Sequence, residues 1–167
     1  MTWTRFPRRP VAVVALTIGA LAGCTGRTEG TDSSNECGPI TREALDPAYL
    51  VHIINAELPV DYTSDPPTSG PHKPSPSATG VSDGPLSRPV QVGILERGDV
   101  LLQHSTELSR SDQAALEALA DAGVVVAPNP DLPDTIVATA WRSKRICGAL
   151  AIDDLEEFVT ERSGRGP

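Results

Sequence analysis

Between Pro59 and Pro89 the chain carries eight prolines among many serines, threonines and glycines. Proline lacks the backbone donor that a helix interior or a sheet ladder needs, so this stretch excludes a regular helix and any central strand. Read alone, it is a linker or a long loop. The apolar core must therefore come from the rest of a 167-residue chain. Beyond residue 23 the only aromatic residues are Tyr49, Tyr62, Trp141 and Phe158, which makes that core largely aliphatic and sized for one modest domain.

The second half follows ordinary folding rules. Val90–Leu95 and Val100–His104 are short β-prone runs separated by Glu96-Arg97-Gly98-Asp99, the spacing of an antiparallel hairpin. Ser109-Arg-Ser-Asp112 opens a capping-box-like helix whose apolar positions Ala115, Leu116, Leu119 and Ala120 recur at helical spacing before Gly123 stops it. Val124–Ala127 and Ile136–Trp141 read as strands, and residues 145–151 add a further short one. Asp153-Asp-Leu-Glu156 starts a last helix with Leu155, Phe158 and Val159 on one face. Tyr49–Ile54 reads as a strand or a short helix, and Gly164–Pro167 as a frayed end. The predicted fold is α+β: a small, mainly antiparallel sheet in the order β-β-α-β-β-α, helices on one face, and a long proline-rich loop over residues 59–89.

The first residues state an address. Arg5, Arg8 and Arg9 precede an apolar run from Val11 to Leu21, and Leu21-Ala22-Gly23-Cys24 places small residues just before a cysteine. This is the pattern of a bacterial lipoprotein signal, with residues 1–23 removed and Cys24 acylated. An uncleaved anchor helix or an ordinary signal with a chance cysteine are the alternatives, and Arg8-Arg9 leaves both the general and the twin-arginine export routes open. Residues 24–36 are small and polar, a flexible tether between the lipid and a single domain over residues 37–163. The expected location is the extracytoplasmic face of the cell membrane, reached through the lipid.

Charge narrows the partners. The whole chain has a net charge of −8. Residues 1–23 hold three arginines and no acids, so the remainder stands at −11. Nucleic acid is excluded as a partner by that balance, and the membrane contact falls to the acyl chains. An unidentified envelope protein or a small ligand remains. With Cys24 acylated, Cys37 and Cys147 are left as a pair in an oxidising compartment, and a disulfide between them is predicted. A redox-active pair is the alternative, but neither cysteine sits in a Cys-x-x-Cys motif.

Three segments carry a family likeness. Pro66-Pro67-Thr68-Ser69-Gly70-Pro71-His72, then Leu95-Glu96-Arg97-Gly98, then Ala138-Thr-Ala-Trp141 with Cys147 shortly after, resemble the domain-of-unknown-function 3105 family over roughly residues 50–160. The family pattern has a strand motif like His-x-Leu-Glu-His-Gly and a later Ala-Trp-Gly. Here Gly93 and Arg97 replace both histidines of that motif, and Arg142 stands where glycine is usual. The resemblance implies the fold, and it puts a histidine-dependent activity in doubt.

A loop histidine beside a strand bearing imidazoles and a carboxylate suits zinc or copper. His72 and Glu96 occupy matched positions, His52 is a candidate for an earlier family histidine, and His104 is the remaining histidine of the chain. The same residues also fit a structural account, in which His72, Ser69, Thr68 and Tyr62 satisfy the backbone of a loop lying on the sheet, Arg97 meets an acid other than Glu96, and Trp141 anchors the core. Ser69 with His72 makes no nucleophile–base pair at that spacing, and Asp153-Asp154 is explained by helix capping, so no enzymatic activity is expected. The leading expectation is a non-catalytic binding or structural module of the envelope with no cofactor. The alternative is a zinc- or copper-binding domain centred on His72 and Glu96, with His52 or His104 completing the shell.

Overall fold

The structure, a computed structural model, describes residues 36–54, 60–74 and 78–167. The expected signal, the Cys24 lipidation site and the tether up to residue 35 lie outside the described residues. Eight elements follow in order: β1 (Thr41–Arg42), α1 (Arg88–Glu96), β2 (Val100–His104), α2 (Arg110–Glu117), β3 (Val124–Pro128), β4 (Ile136–Ala140), β5 (Ser143–Cys147) and α3 (Ile152–Arg162). The fold is α+β, as expected. Its strands form one sheet in the order β1-β5-β4-β2-β3.

The sheet is mixed. The pairs β1–β5, β5–β4 and β4–β2 are antiparallel, whereas β2–β3 is parallel. The physical reason is α2, whose eight residues carry the chain back over the sheet so that β3 enters in the direction of β2. That helix begins as its sequence predicts, with Ser109 Oγ accepting from the Asp112 backbone N–H. The last helix starts two residues before the expected cap: Ala151 is its N-cap, and Asp153 and Asp154 lie in the first turn, where negative charge suits the helix dipole.

Val90–Leu95 is a helix, not a strand. Pro89 sits in the first turn of α1, where its fixed φ and missing N–H cost nothing. Gly98, at φ 88°, ends the helix: its N–H donates to Leu95 O at 3.0 Å and that of Asp99 to Ile94 O at 3.3 Å, a Schellman closure in place of the expected hairpin turn. The sequence conceals this because α1 is buried on most sides, Gln91 included, and its Val90, Val92 and Ile94 alternate with Gln91 and Gly93 as a strand would.

Helices consequently cover both faces of the sheet, not one. Val100, Leu102, Val126, Ile136 and Ala138 point to one side, where Leu116 of α2 and Leu155 and Phe158 of α3 close a core. Leu101, Val125 and Ala127, of the opposite parity, meet Ile94 and Leu95 of α1. A disulfide joins Cys37 to Cys147, closing 110 residues and fastening the amino-terminal segment to the end of β5. In the chain-entropy account such a loop contributes about 4.7 kcal/mol. Buried Arg145 reinforces the same corner, donating to Gly38 O, Asp154 Oδ1 and Glu157 Oε2 at 3.0, 2.6 and 2.7 Å.

The proline-rich segment lies on this frame. Gly80 and Ser82 exchange backbone bonds with Val126, covering the edge of β3. Residues 66–72 are buried throughout. Residues 47–50 form turns, not the strand or helix expected there, and His52 pairs with His72 in a single parallel bridge. The carboxy-terminal tail is packed, not frayed: the Gly164 N–H donates to Gly98 O at 2.7 Å, and a Cβ on Gly166 would stand 2.6 Å from Glu96 O. No helix among the described residues is long and apolar enough to cross a membrane.

Candidate functional site

The buried half of the proline-rich loop owes its shape to polar contacts. Thr68 Oγ1 donates to Glu43 Oε2 at 2.9 Å, and the Thr68 carbonyl accepts from the Arg142 N–H at 3.0 Å. The Asp46 N–H donates to Ser69 Oγ at 2.9 Å. Lys144 Nζ lies 2.9 Å from Glu43 Oε1 and donates to Asp65 O at 3.2 Å. Burial pushes the Glu43 carboxyl upward, but hydrogen bonds from Ser64, Lys144 and Thr68 and the Lys144 charge outweigh it, leaving the group below its ordinary value. Tyr62 donates to Pro71 O at 2.7 Å, its ring packed so closely on Gly70 that a Cβ there would stand 2.9 Å from Cδ1. Burial pushes the Tyr62 phenol up to about 12, with Arg88 opposing and Asp46 assisting.

These contacts deliver His72 to one place. Its backbone is held on both sides, donating to Val51 O at 3.0 Å and accepting from the Ile53 N–H at 2.7 Å. Its ring Nδ1 lies 3.0 Å from Gly70 O. A carbonyl can only accept, so Nδ1 carries the proton and Nε2 is presented to whatever lies beyond. Beyond it lies Glu96, in the last turn of α1, with Oε2 at 2.8 Å. The pair is close, yet Nε2 is buried with no hydrogen-bond partner. At 2.8 Å a doubly protonated ring makes an ion pair with Glu96, whereas the neutral Nδ1–H ring leaves a bare Nε2 lone pair facing the carboxylate.

His52 completes a cluster of three. Its Nε2 is 3.9 Å from Glu96 Oε1, and its ring meets that of His72 edge to face with centroids 4.8 Å apart. One ligand atom from each of His52, His72 and Glu96 can be chosen so that all lie within 4.8 Å of one another. Atoms on one tetrahedral centre with bonds of ~2.0–2.1 Å lie about 3.4 Å apart, so the observed separations bracket that spacing. Exposure is graded across the cluster: the His72 side chain is 1% exposed, Glu96 31% and His52 56%. One side is fixed and dry, and the other opens to solvent.

His104 is elsewhere. On β2 it shares the parity of Val100 and Leu102, which face α2 and α3, and its Nδ1 lies 3.0 Å from Ser105 O. The hairpin expected between Glu96 and His104 does not exist, because Glu96 is helical. Arg97, as its position suggested, meets another acid, Asp99, with Nε to Oδ2 at 2.9 Å. Ser69 Oγ accepts from Asp46, as described, and Trp141 packs against the α1 core with its ring edge-on to Tyr49 at 6.5 Å. Helical spacing also recasts Gly93, Glu96 and Arg97, which share one face of α1 at i, i+3 and i+4. A strand reading separates Glu96 from Arg97 onto opposite faces and hides this grouping.

Residues 54–167 match the family described as "Protein of unknown function (DUF3105)", and the chain belongs to that family. His72 and Glu96 lie inside the matched region, and His52 falls two residues before it. No curated protein and no solved structure matches the chain.

Proposed function

We propose that this chain is a lipid-anchored, extracytoplasmic binding module whose ligand is a borderline divalent metal, zinc or copper, held by His52, His72 and Glu96 in a non-catalytic role. The anchor rests on the Cys24 pattern, and the metal rests on one observation: His52, His72 and Glu96 bring ligand atoms within 4.8 Å of one another around the buried Nε2 of His72, 2.8 Å from Glu96 Oε2. A neutral imidazole nitrogen held against a carboxylate is costly unless a proton or a metal ion stands between them. A cation between Nε2 and Oε2 removes that cost, and the carbonyl on Nδ1 is the second contact that metal-bound imidazoles commonly make. Two imidazoles and one carboxylate leave a coordination position for water or a fourth ligand. At a site of nitrogen and oxygen donors, copper(II) is expected to bind more tightly than zinc.

Calorimetric titration of the full chain in non-ionic detergent with zinc and copper tests the reading. One-to-one binding is expected, weakened roughly tenfold or more by His52→Ala, a change at an exposed side chain that leaves the fold intact, and abolished by His72→Ala. Absence of binding by the unaltered chain, or equal binding by the His52 and His72 variants, would remove the metal and leave an envelope module with an organic ligand or a protein partner.

A further inference from the structure

A second cluster lies where the β4–β5 turn meets the carboxy-terminal tail. Arg42, Arg142, Arg162 and Arg165 line a cavity of about 120 Å³ together with Trp141 and Ser143, and no acidic residue lines it. The chain beyond residue 23 has eleven cationic side chains against 22 acids. Four of the eleven therefore gather around one small space while the acids stay outside it. Guanidinium groups so placed repel one another, and an anion between them turns that repulsion into attraction.

The partners of these arginines leave donors over. Arg42 and Arg165 make no side-chain hydrogen bond or ion pair among the described residues. Arg162 reaches its chain neighbour Glu161 through Nη2 at 3.2 Å, but its Nε is buried with no partner. Arg142 commits only its Nε, to Glu43 O at 3.2 Å, and keeps both terminal nitrogens. Arg42 and Arg165 are exposed and Arg142 half-buried, so the one buried donor left without a partner is Arg162 Nε, which calls for a water or an ion.

Arg142 adds an independent sign. It is the only non-glycine residue at positive φ among the described residues, at 57°. The two-residue turn Trp141-Arg142 between paired Ala140 and Ser143 demands such a conformation, which glycine, asparagine or aspartate meet with least strain. A long cationic side chain stands there instead, at a residue that lines the cavity. Strain accepted at one position for the sake of a functional group is the pattern of a binding site.

We infer that this cavity binds a tetrahedral oxyanion, a phosphate group either free in solution or carried by a lipid headgroup. Its volume is about that of four waters, enough for one such group and no large organic ligand. The net negative charge of the chain argues against long-range attraction to anionic surfaces, so recognition here is local and depends on the four guanidinium groups.

The test uses the full chain in non-ionic detergent, titrated calorimetrically with inorganic phosphate and, separately, with short-chain phosphatidylglycerol below its micelle concentration. Each titration is repeated on Arg142→Gly and Arg42→Gln. Arg142→Gly removes a cation and relaxes the turn, so its melting temperature is expected to hold or rise while affinity falls roughly tenfold or more. Phosphate binding lost in both variants supports the proposal with a soluble anion as the source. Binding of the lipid alone, lost in the same variants, supports it with a headgroup as the source. No binding of either by the unaltered chain overturns it. So does unchanged affinity in Arg142→Gly, which would leave the arginine serving only the turn.

Discussion

Leu102 on β2 and Thr68 in the proline-rich loop are equally hidden, at 0% and 1% exposure. What surrounds them differs. Leu102 lies among Val100, Val126, Ala138 and Phe158 in a core of hydrocarbon. Thr68 is held by a carboxylate on its hydroxyl and the Arg142 N–H on its carbonyl. Burial in the first region is driven by removing apolar area from water, and it is non-directional, cooperative and shared among many side chains. Burial in the second depends on individual hydrogen bonds, each modest when made and costly when broken. The difference teaches where the candidate metal ligands get their rigidity: the sheet carries the stability, and the loop spends hydrogen bonds to position His72.

The largest expected effect is at the apolar end. Phe158, fully buried between α3 and the sheet, is a shared wall of the main core. Phe158→Ala is expected to destabilise the whole domain by about 3–5 kcal/mol, read from the urea midpoint. Hydrogen exchange should accelerate in the strands and in residues 66–72 together, because the loop has no core of its own. Loop amides that kept their protection while the strands lost theirs would break the comparison.

A smaller and local effect is expected at Glu43, which joins Lys144, Thr68 and the loop. Glu43→Gln is expected to cost about 1–3 kcal/mol, the penalty of disturbing a partly buried hydrogen-bonded charge. Here exchange should quicken over residues 66–72 with little change in β2 and β4. Acid should reproduce it. The Glu43 carboxyl is held below its ordinary value of 4.5 in the folded chain. Its contribution is therefore fully present above that value and is lost as pH falls through the lower folded one. Thermal melting from pH 7 to pH 3 should show the wild-type chain and Glu43→Gln converging at the acid end. A constant gap across that range would show that the carboxylate charge is not what holds the loop.

The same contrast explains what could be read from the sequence. The strands β2, β3 and β4 and the helices α2 and α3 were legible because apolar packing imposes a period, as in Leu155, Phe158 and Val159. The Cys37–Cys147 bridge was legible from the cysteine count. Polar burial leaves no period, so the ordered path of residues 66–72 was invisible except through the family pattern. Helix α1 fails for a related reason: enclosed on most sides, it buries even Gln91, and Val90, Val92 and Ile94 alternate with Gln91 and Gly93 at the period of a strand. That strand reading also set Glu96 and Arg97 on opposite faces, and His104 enters the site only as the remaining histidine of the chain. The parallel β2–β3 pair was missed although the spacing of β2, α2 and β3 contained it. The arginine cavity could not be seen at all, since its four members come from positions 42, 142, 162 and 165 and meet only in the fold.

The smallest effect should be the most informative about the site. Tyr62 touches the loop one residue from His72, donating to Pro71 O while its ring presses on Gly70, whose φ of 130° leaves no room for a side chain. Tyr62→Phe keeps the ring and deletes the hydroxyl, so the expected loss is about 0.5–1.5 kcal/mol. A second signature belongs to the burial of the phenol itself. The phenol is pushed up to about 12 in the folded chain from an ordinary value of 10.0, so its contribution is fully present below pH 10 and disappears as pH rises through about 12. Melting curves across that alkaline window should fall for the wild-type chain and stay comparatively flat for Tyr62→Phe. If hydrogen bonds in the loop do position His72, the same substitution should weaken zinc binding by roughly two- to tenfold, although Tyr62 is not among the proposed ligands. Unchanged affinity would assign that positioning to the Gly70 carbonyl and the His52–His72 backbone pairing alone, and would confine Tyr62 to stabilising the loop.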